Sequence, residues 1–226
     1  MLAHPDLLLL TPVDVYCERV ESGFWAEPLN AVSNLAILGA AVAVWFLARR
    51  TPVAIRLLAV LVAFVAVAGA VFHTTAASWA AEVDTGSITV FLTYYVVLFT
   101  HLFLVVPWRA AWLAGPVFLL FTALVSAVVG YGGAGIFIST LLTFAFLSYA
   151  LARSPYRELR DHTRPFALAT GVFTVSLMLR TMDSPLCDTL STGTHFLWHL
   201  LNALALFLVC RAAIARWHQR QRILTA

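Results

Sequence analysis

Residues 57–81 read LLAVLVAFVAVAGAVFHTTAASWAA, a run of 25 uncharged positions between Arg56 and Glu82. A strand needs far fewer residues, and a helix with one wet face would carry polar side chains at regular intervals. A helix of about 20 apolar residues crosses the hydrocarbon core of a bilayer. The only titratable residue in the run, His73, stands towards its far end. The same test applies to the other gaps between charges. Glu27 and Arg49 enclose 21 uncharged residues, Asp84 and Arg109 enclose 24, and Asp188 and Arg211 enclose 22. Arg109 and Arg153 enclose 43, enough for two helices joined by a turn at the glycine-rich stretch Gly130 to Gly135. Arg164 and Arg180 enclose only 15, so that helix either continues past Arg180 or is short. The reading is an all-α integral membrane protein of seven spans, at about 28–48, 53–73, 85–106, 111–129, 134–152, 165–182 and 192–212.

Composition agrees. Of 226 residues 62% are hydrophobic and 11% charged, with a mean hydropathy of +0.89, against about 25% charged residues in a soluble domain. These values exclude a disordered chain, a coiled coil and a disulfide-rich secreted scaffold, and argue against an ordinary soluble enzyme. The net charge of +3 comes with no lysine, since all 14 cations are arginine. A basic balance beside apolar spans sets topology and does not require nucleic acid. Twelve of the 14 arginines fall on one side of a seven-span layout, all but Arg19 and Arg180. The positive-inside rule then puts the C-terminus in the cytoplasm and the N-terminus outside. The start of the chain lacks a basic segment, and Leu7 to Leu10 is too short for the apolar core of a cleavable signal. No internal repeat or low-complexity linker divides the chain. It reads as a single domain, with an acidic segment at 1–27, a bundle at 28–212 and a basic cytoplasmic tail at 213–226.

Three histidines share one depth in this layout. His195 and His199 are four residues apart at the outer start of span seven, which places both rings on one helical face. His73 lies at the outer end of span two. Three imidazoles at one level form the ligand set of a catalytic zinc with an open fourth position; the alternative is three independent interfacial histidines. His4, His101, His162 and His218 lie at other depths, in a basic loop or near the termini. Asp84, at the outer start of span three, is read three ways: a hydrogen-bond partner for a ligand histidine, a general base, or a helix N-cap. The segment Asp14 to Glu27 carries four acids, including Glu18 and Glu21. It is read either as a calcium-binding loop of oxygen ligands or as a solvated acidic face. Asn30, Ser33 and Asn34 share a face of span one and should bond to a neighbouring helix. Cys17 and Cys187 fall on the outer side, where a disulfide is compatible with the compartment, and Cys210 falls at the inner end of span seven as a free thiol.

Taken together, three motifs resemble the alkaline ceramidases, members of the CREST superfamily of seven-helix membrane hydrolases. The first is Tyr16-Cys17-Glu18 followed by Ala26-Glu27-Pro28-x-Asn30-x-x-Ser33-Asn34. The second is Phe72-His73 with Asp84 eleven residues on. The third is Asp183-x-x-x-Cys187 followed by His195-Phe196-Leu197-Trp198-His199. The likeness covers both ends and spans two and three; spans four and five carry no motif. It implies zinc on His73, His195 and His199, with Asp84 assisting the hydrolytic water. It also implies calcium on Glu18 and Glu27, joined by Asp14, and a disulfide between Cys17 and Cys187. The expected activity is hydrolysis of a lipid amide such as ceramide to a sphingoid base and a fatty acid, with the site nearer the outer face and no obligate protein partner. Two positions depart from the pattern. Gly69 stands where the family carries a serine four residues before the first histidine, and Asp14 stands three residues before Cys17 instead of two. The other readings are a related zinc hydrolase of another lipid amide or ester, and a receptor-like seven-helix protein whose metal is structural.

Overall fold

The computed structural model describes residues 12–21, 23–130 and 134–225. The N-terminal stretch read above for a signal, His4, Ser22 and the central residues of the glycine-rich turn, 131–133, lie outside the described residues. Nine α-helices occur among those described: α1 (Pro28–Ala48), α2 (Val53–Thr75), α3 (Ser78–Phe103), the single turn α4 (Trp108–Ala111), α5 (Ala114–Val129), α6 (Ala134–Ala152), the single turn α7 (Arg157–Arg160), α8 (Thr163–Met182) and α9 (His195–Thr225). With α4 joined to α5 and α7 to α8, seven are long and apolar enough to cross a membrane. No strand occurs among the described residues, only an isolated bridge between Pro12 and Ala77.

Each long helix packs against the next in the chain, and α9 packs against both α8 and α1, so the seven close into a ring. α9 also reaches across to α2 and α3. The centre holds Leu58, Val62, Tyr95, Phe99, Phe103 and Phe166, and the Tyr95 hydroxyl donates to the Val209 carbonyl at 2.8 Å. The outer faces expose Phe46, Val117, Leu120, Phe146 and Met178, a large apolar outer surface of the kind that marks a membrane or protein contact. α4–α5 is the least buried of the seven spans, and α2, α3 and α9 are the most buried.

Of the boundaries that differ from the sequence reading, two matter for the site and its surroundings. α3 begins at Ser78, not near 85. The α2–α3 turn is only Ala76 and Ala77: Ala76 adopts a left-handed φ of 44° and its N–H bonds back to the Phe72 carbonyl at 2.7 Å. Asp84 therefore sits well inside α3, six residues past its first residue. The N-cap alternative for Asp84 is overturned, since the cap position belongs to Ala77. At the other end, α9 continues through the basic tail to Thr225. Arg216 and Arg220 donate to the Leu102 and His101 carbonyls (3.3 and 3.2 Å), which lie in the last turn of α3 and lack partners within it.

Candidate metal centre and the cavities around it

His73 lies in the last turns of α2, and His195 and His199 open α9. All three are buried, and one ring nitrogen from each falls within 4.8 Å of the others. Ring centroids are 5.2 Å apart for His73 and His195, 4.8 Å for His73 and His199, and 4.7 Å for His195 and His199.

Their orientation is fixed from the far side of each ring. The Nδ1 of His73 meets the Glu27 carboxylate at 2.6 Å, and the Nδ1 of His199 meets the Ser33 hydroxyl at 2.7 Å. That leaves Nε2 of both rings free of these bonds. The third ring, His195, stacks on Tyr16 at 3.7 Å. Its Nδ1 is buried with no hydrogen-bond partner among the described residues. Leaving such a group unsatisfied costs about 1–3 kcal/mol. Three imidazoles, two held by a carboxylate and a hydroxyl and one carrying an orphaned nitrogen, fit a metal ion. Imidazole donors suit zinc, copper, iron and nickel alike.

Glu27 has no contact with bulk water: its side chain is 1% exposed. One oxygen accepts from Arg19 Nε at 2.6 Å; the other faces His73 and accepts from Asn30 Nδ2 at 3.2 Å. Burial alone would push its pKa up, but the bonds from His73, Arg19 and Asn30 outweigh it and hold the carboxyl below its usual range. Glu18 is engaged elsewhere. Its two oxygens accept from the amides of Leu29 and Asn30 at 2.5 and 2.8 Å, capping the first turn of α1. Asp14 is exposed. The three acids singled out for calcium thus have different surroundings: a helix cap, a histidine support and a solvent-facing side chain.

The start of α9 is tied to the N-terminal segment through Asp183. One of its oxygens accepts from the amides of Thr194 and His195 (2.6 and 2.8 Å), and the other from the Cys17 amide (3.0 Å). Cys17 and Cys187 form a disulfide with Cα atoms 5.0 Å apart. Gly193, at a φ of +60°, lies where a Cβ would run into Asp183 and Cys17. Tyr16, one residue before Cys17, is thereby laid over His195, and burial pushes its hydroxyl up to about 12, so it stays neutral.

Two cavities meet at this centre. A polar one opens at the end of the bundle that carries the disulfide and is lined by Tyr16, Asp84, Arg180, His195 and Trp198. An apolar one runs deeper, past His199 and Asn34 to Ile37, Val65, Phe91, Phe144 and Leu206. Asp84, Ile88, Phe137 and Trp198 line both. Asp84 also faces α2 at Gly69. A Cβ at position 69 would fall 3.3 Å from Asp84 Oδ1 and 3.1 Å from the Asn34 amide carbon. The space that a side chain at position 69 would take is filled by the Asn34 side chain, which is anchored by its own bond to the Asn30 carbonyl at 2.8 Å.

Sequence reasoning brought His73, His195, His199, Asp84, Ser33 and Asn34 to one place. It missed Arg180 and did not assign a role to Asp183. The signal for Arg180 in the sequence is a lone cation inside the sixth apolar span. Compared with known proteins, the sequence matches no family model, and no curated protein is significantly similar to it. Fold and site define a seven-helix protein of membrane-spanning proportions with a buried three-histidine centre that could hold a metal ion.

Proposed function

We propose that this chain is a zinc-dependent hydrolase, embedded in the membrane, that cleaves the amide bond of a lipid such as ceramide to a sphingoid base and a fatty acid. The observation that carries the reading is the position of the three histidines, where a polar cavity meets an apolar one. A lipid amide needs that juxtaposition, with water and headgroup on one side and acyl chain on the other. The motif likeness to alkaline ceramidases supports the amide and the zinc.

His73, His195 and His199 would hold the zinc, which supplies Lewis acidity towards the scissile carbonyl and makes water acidic enough to attack near neutral pH. Asp84 stands in both cavities beside this centre. It accepts a proton from the attacking water and returns it to the nitrogen as the carbon–nitrogen bond breaks. Glu27 and Ser33 keep the His73 and His199 rings turned the right way. Phe91, Phe144 and Phe173 line the acyl-chain chamber. Glu18 and Glu27 are occupied by protein donors, and we assign them those structural roles in place of calcium ligation. The arginine distribution supports an outer, non-cytoplasmic position for this end of the bundle by the positive-inside rule.

The test is metal analysis of the purified protein together with hydrolysis of ceramides and, as controls, phospholipids by the same sample. The expected result is one zinc per chain and release of fatty acid from ceramide. His73→Ala, His195→Ala and His199→Ala should each lose both. A histidine variant that keeps full metal and full turnover removes that residue from the centre.

A further inference from the structure

Arg180 is a charge in the last turns of a membrane-spanning helix, and it points inward. Its guanidinium carbon lies 4.6 Å from the centre of the Phe137 ring and 5.8 Å from that of Trp198. It lines the polar cavity together with Tyr16, Asp84 and His195. Ion pairs within 4.0 Å among the described residues join Arg19 and His73 to Glu27, and Arg180 is in neither. Asp183 lines the same cavity, but both of its oxygens are taken by backbone amides. A charged side chain in a membrane span faces the bundle interior and is matched by a partner of opposite sign. Among the described residues no carboxylate lies within 4.0 Å of it; the Tyr16 hydroxyl hydrogen-bonds to it and the Asp84 carboxylate attracts it from farther across the same cavity, which leaves the rest of its donor edge for a ligand.

We propose that Arg180 is the seat of a ligand carboxylate in the polar cavity. A guanidinium held face-on to an aromatic ring still presents its edge N–H groups, and that edge is the part that grips a carboxylate with two parallel bonds. Phe137 and Trp198 line both cavities. An amphipathic ligand with its tail in the apolar chamber therefore passes them and brings its polar end to Arg180. Two ligands share this chemistry. One is an N-acyl amino acid, whose amide would lie at the histidines with its carboxylate a bond or two beyond. The other is the fatty acid released by hydrolysis. The first extends the substrate class from neutral to anionic lipid amides; this part rests on the hydrolase reading, whereas carboxylate binding does not.

The experiment has a binding arm and a turnover arm, both on the full-length, metal-loaded protein in detergent. In the first, palmitate and hexadecanol are titrated into wild type, Arg180→Gln and Arg180→Met. Wild type should prefer palmitate. Both variants should bind palmitate about tenfold or more weaker, with hexadecanol unchanged, as for loss of a charge-assisted hydrogen-bond pair. The methionine variant keeps an apolar stem over Phe137 should glutamine fail to fold. Wild type that binds hexadecanol as tightly as palmitate overturns the inference without any variant, and so does a folded variant that keeps wild-type palmitate affinity. In the second arm, N-palmitoylglycine and N-palmitoylethanolamine are hydrolysed in competition. A selective loss of kcat/KM on the glycine conjugate in the variants assigns the seat to the headgroup. Unchanged selectivity with relief of inhibition by added palmitate assigns it to the released acid. Palmitate binding that depends on Arg180 in a protein that hydrolyses neither amide leaves the carboxylate seat standing and removes the hydrolase reading.

Discussion

Replacing Glu27 by glutamine should weaken metal binding without touching a ligand. Three donors converge on this carboxylate: Arg19 Nε and His73 Nδ1 at 2.6 Å each, and Asn30 Nδ2 at 3.2 Å. Glutamine offers one acceptor oxygen and one NH2 group. Whichever way the amide turns, its NH2 must face a donor, either Arg19 on one side or His73 and Asn30 on the other. If it faces His73, the ring loses the anchor that fixes its tautomer and leaves Nε2 free to hold a metal. If it faces Arg19, a guanidinium that is only 8% exposed loses its hydrogen-bond acceptor, and in either orientation it loses its counter-charge. Loss of such a partner to a metal-bound histidine costs about 10–100-fold in metal affinity, or about 1.4–2.7 kcal/mol. Glu27→Ala removes all three bonds and leaves the Arg19 charge buried and unpaired, a loss of about 3–5 kcal/mol for this kind of site. The assay is competition for zinc against a fluorescent chelator, with the melting temperature read on the same samples. The expected order of zinc affinity is wild type, Glu27→Gln, Glu27→Ala, with the alanine variant also melting clearly lower. Zinc affinity in Glu27→Gln within twofold of wild type would refute the support role, whatever happens to turnover.

Four other outcomes follow from the same geometry. Asp84→Asn should keep its metal and lose about 10²–10⁴-fold in hydrolysis, the usual share of a general acid–base; loss of zinc with it would make Asp84 part of the metal centre instead. Gly69→Ser should destabilise the protein by about 1–3 kcal/mol, since the new Cβ displaces the Asn34 side chain from its bond to Asn30, and Asn34→Ala in the same chain should recover most of that loss in a melting experiment. Added calcium, or its chelation, should leave the melting temperature unchanged, because Glu18 and Glu27 already have protein donors; a rise that grows with the logarithm of calcium concentration would restore the calcium loop. A reporter fused after Ala226 should read as cytoplasmic, and a reading on the other side would move the polar cavity to the cytoplasmic face.

How far the sequence could be read depended on which physical signal marked each feature. α1 and α6 occupy the expected spans, 28–48 and 134–152, because a proline and a glycine-rich stretch mark their starts. α3 was misplaced by seven residues because a gap between charges ends at any acid, whichever way the acid faces. Glu82 is exposed while Asp84 turns into the cavities, and only helical phase separates them. The basic tail looked like the end of the bundle because hydropathy falls after Arg211, yet its arginines extend the helix by bonding to α3 carbonyls. The histidines were legible because spacing and depth are linear properties of spans. The roles of Glu18 and Glu27 were not: both follow from contacts that Glu18 and Arg19 make with the start of α1 and with Glu27, and no periodicity encodes those.

The N-terminal segment and the start of α9 work as one structure. Asp183 holds the amides of Thr194 and His195 with one oxygen and that of Cys17 with the other. The disulfide joins the same two segments through Cys187. From this clamp, Tyr16 is laid flat on His195, and two residues later Glu18 caps α1. Arg19, next in the chain, reaches Glu27 and through it His73. A segment of four residues, 16–19, thus touches the support of two histidines on different helices, while Ser33 on the helix it caps supports the third. Three imidazoles on α2 and α9 would otherwise depend on helix packing alone for their relative position, and helices that cross a membrane have no hydrophobic force between them to fix it. The covalent and ionic contacts of 16–19 supply that restraint at the level of the three histidines, which gives Arg19, Glu27 and Asp183 a structural reason to be there.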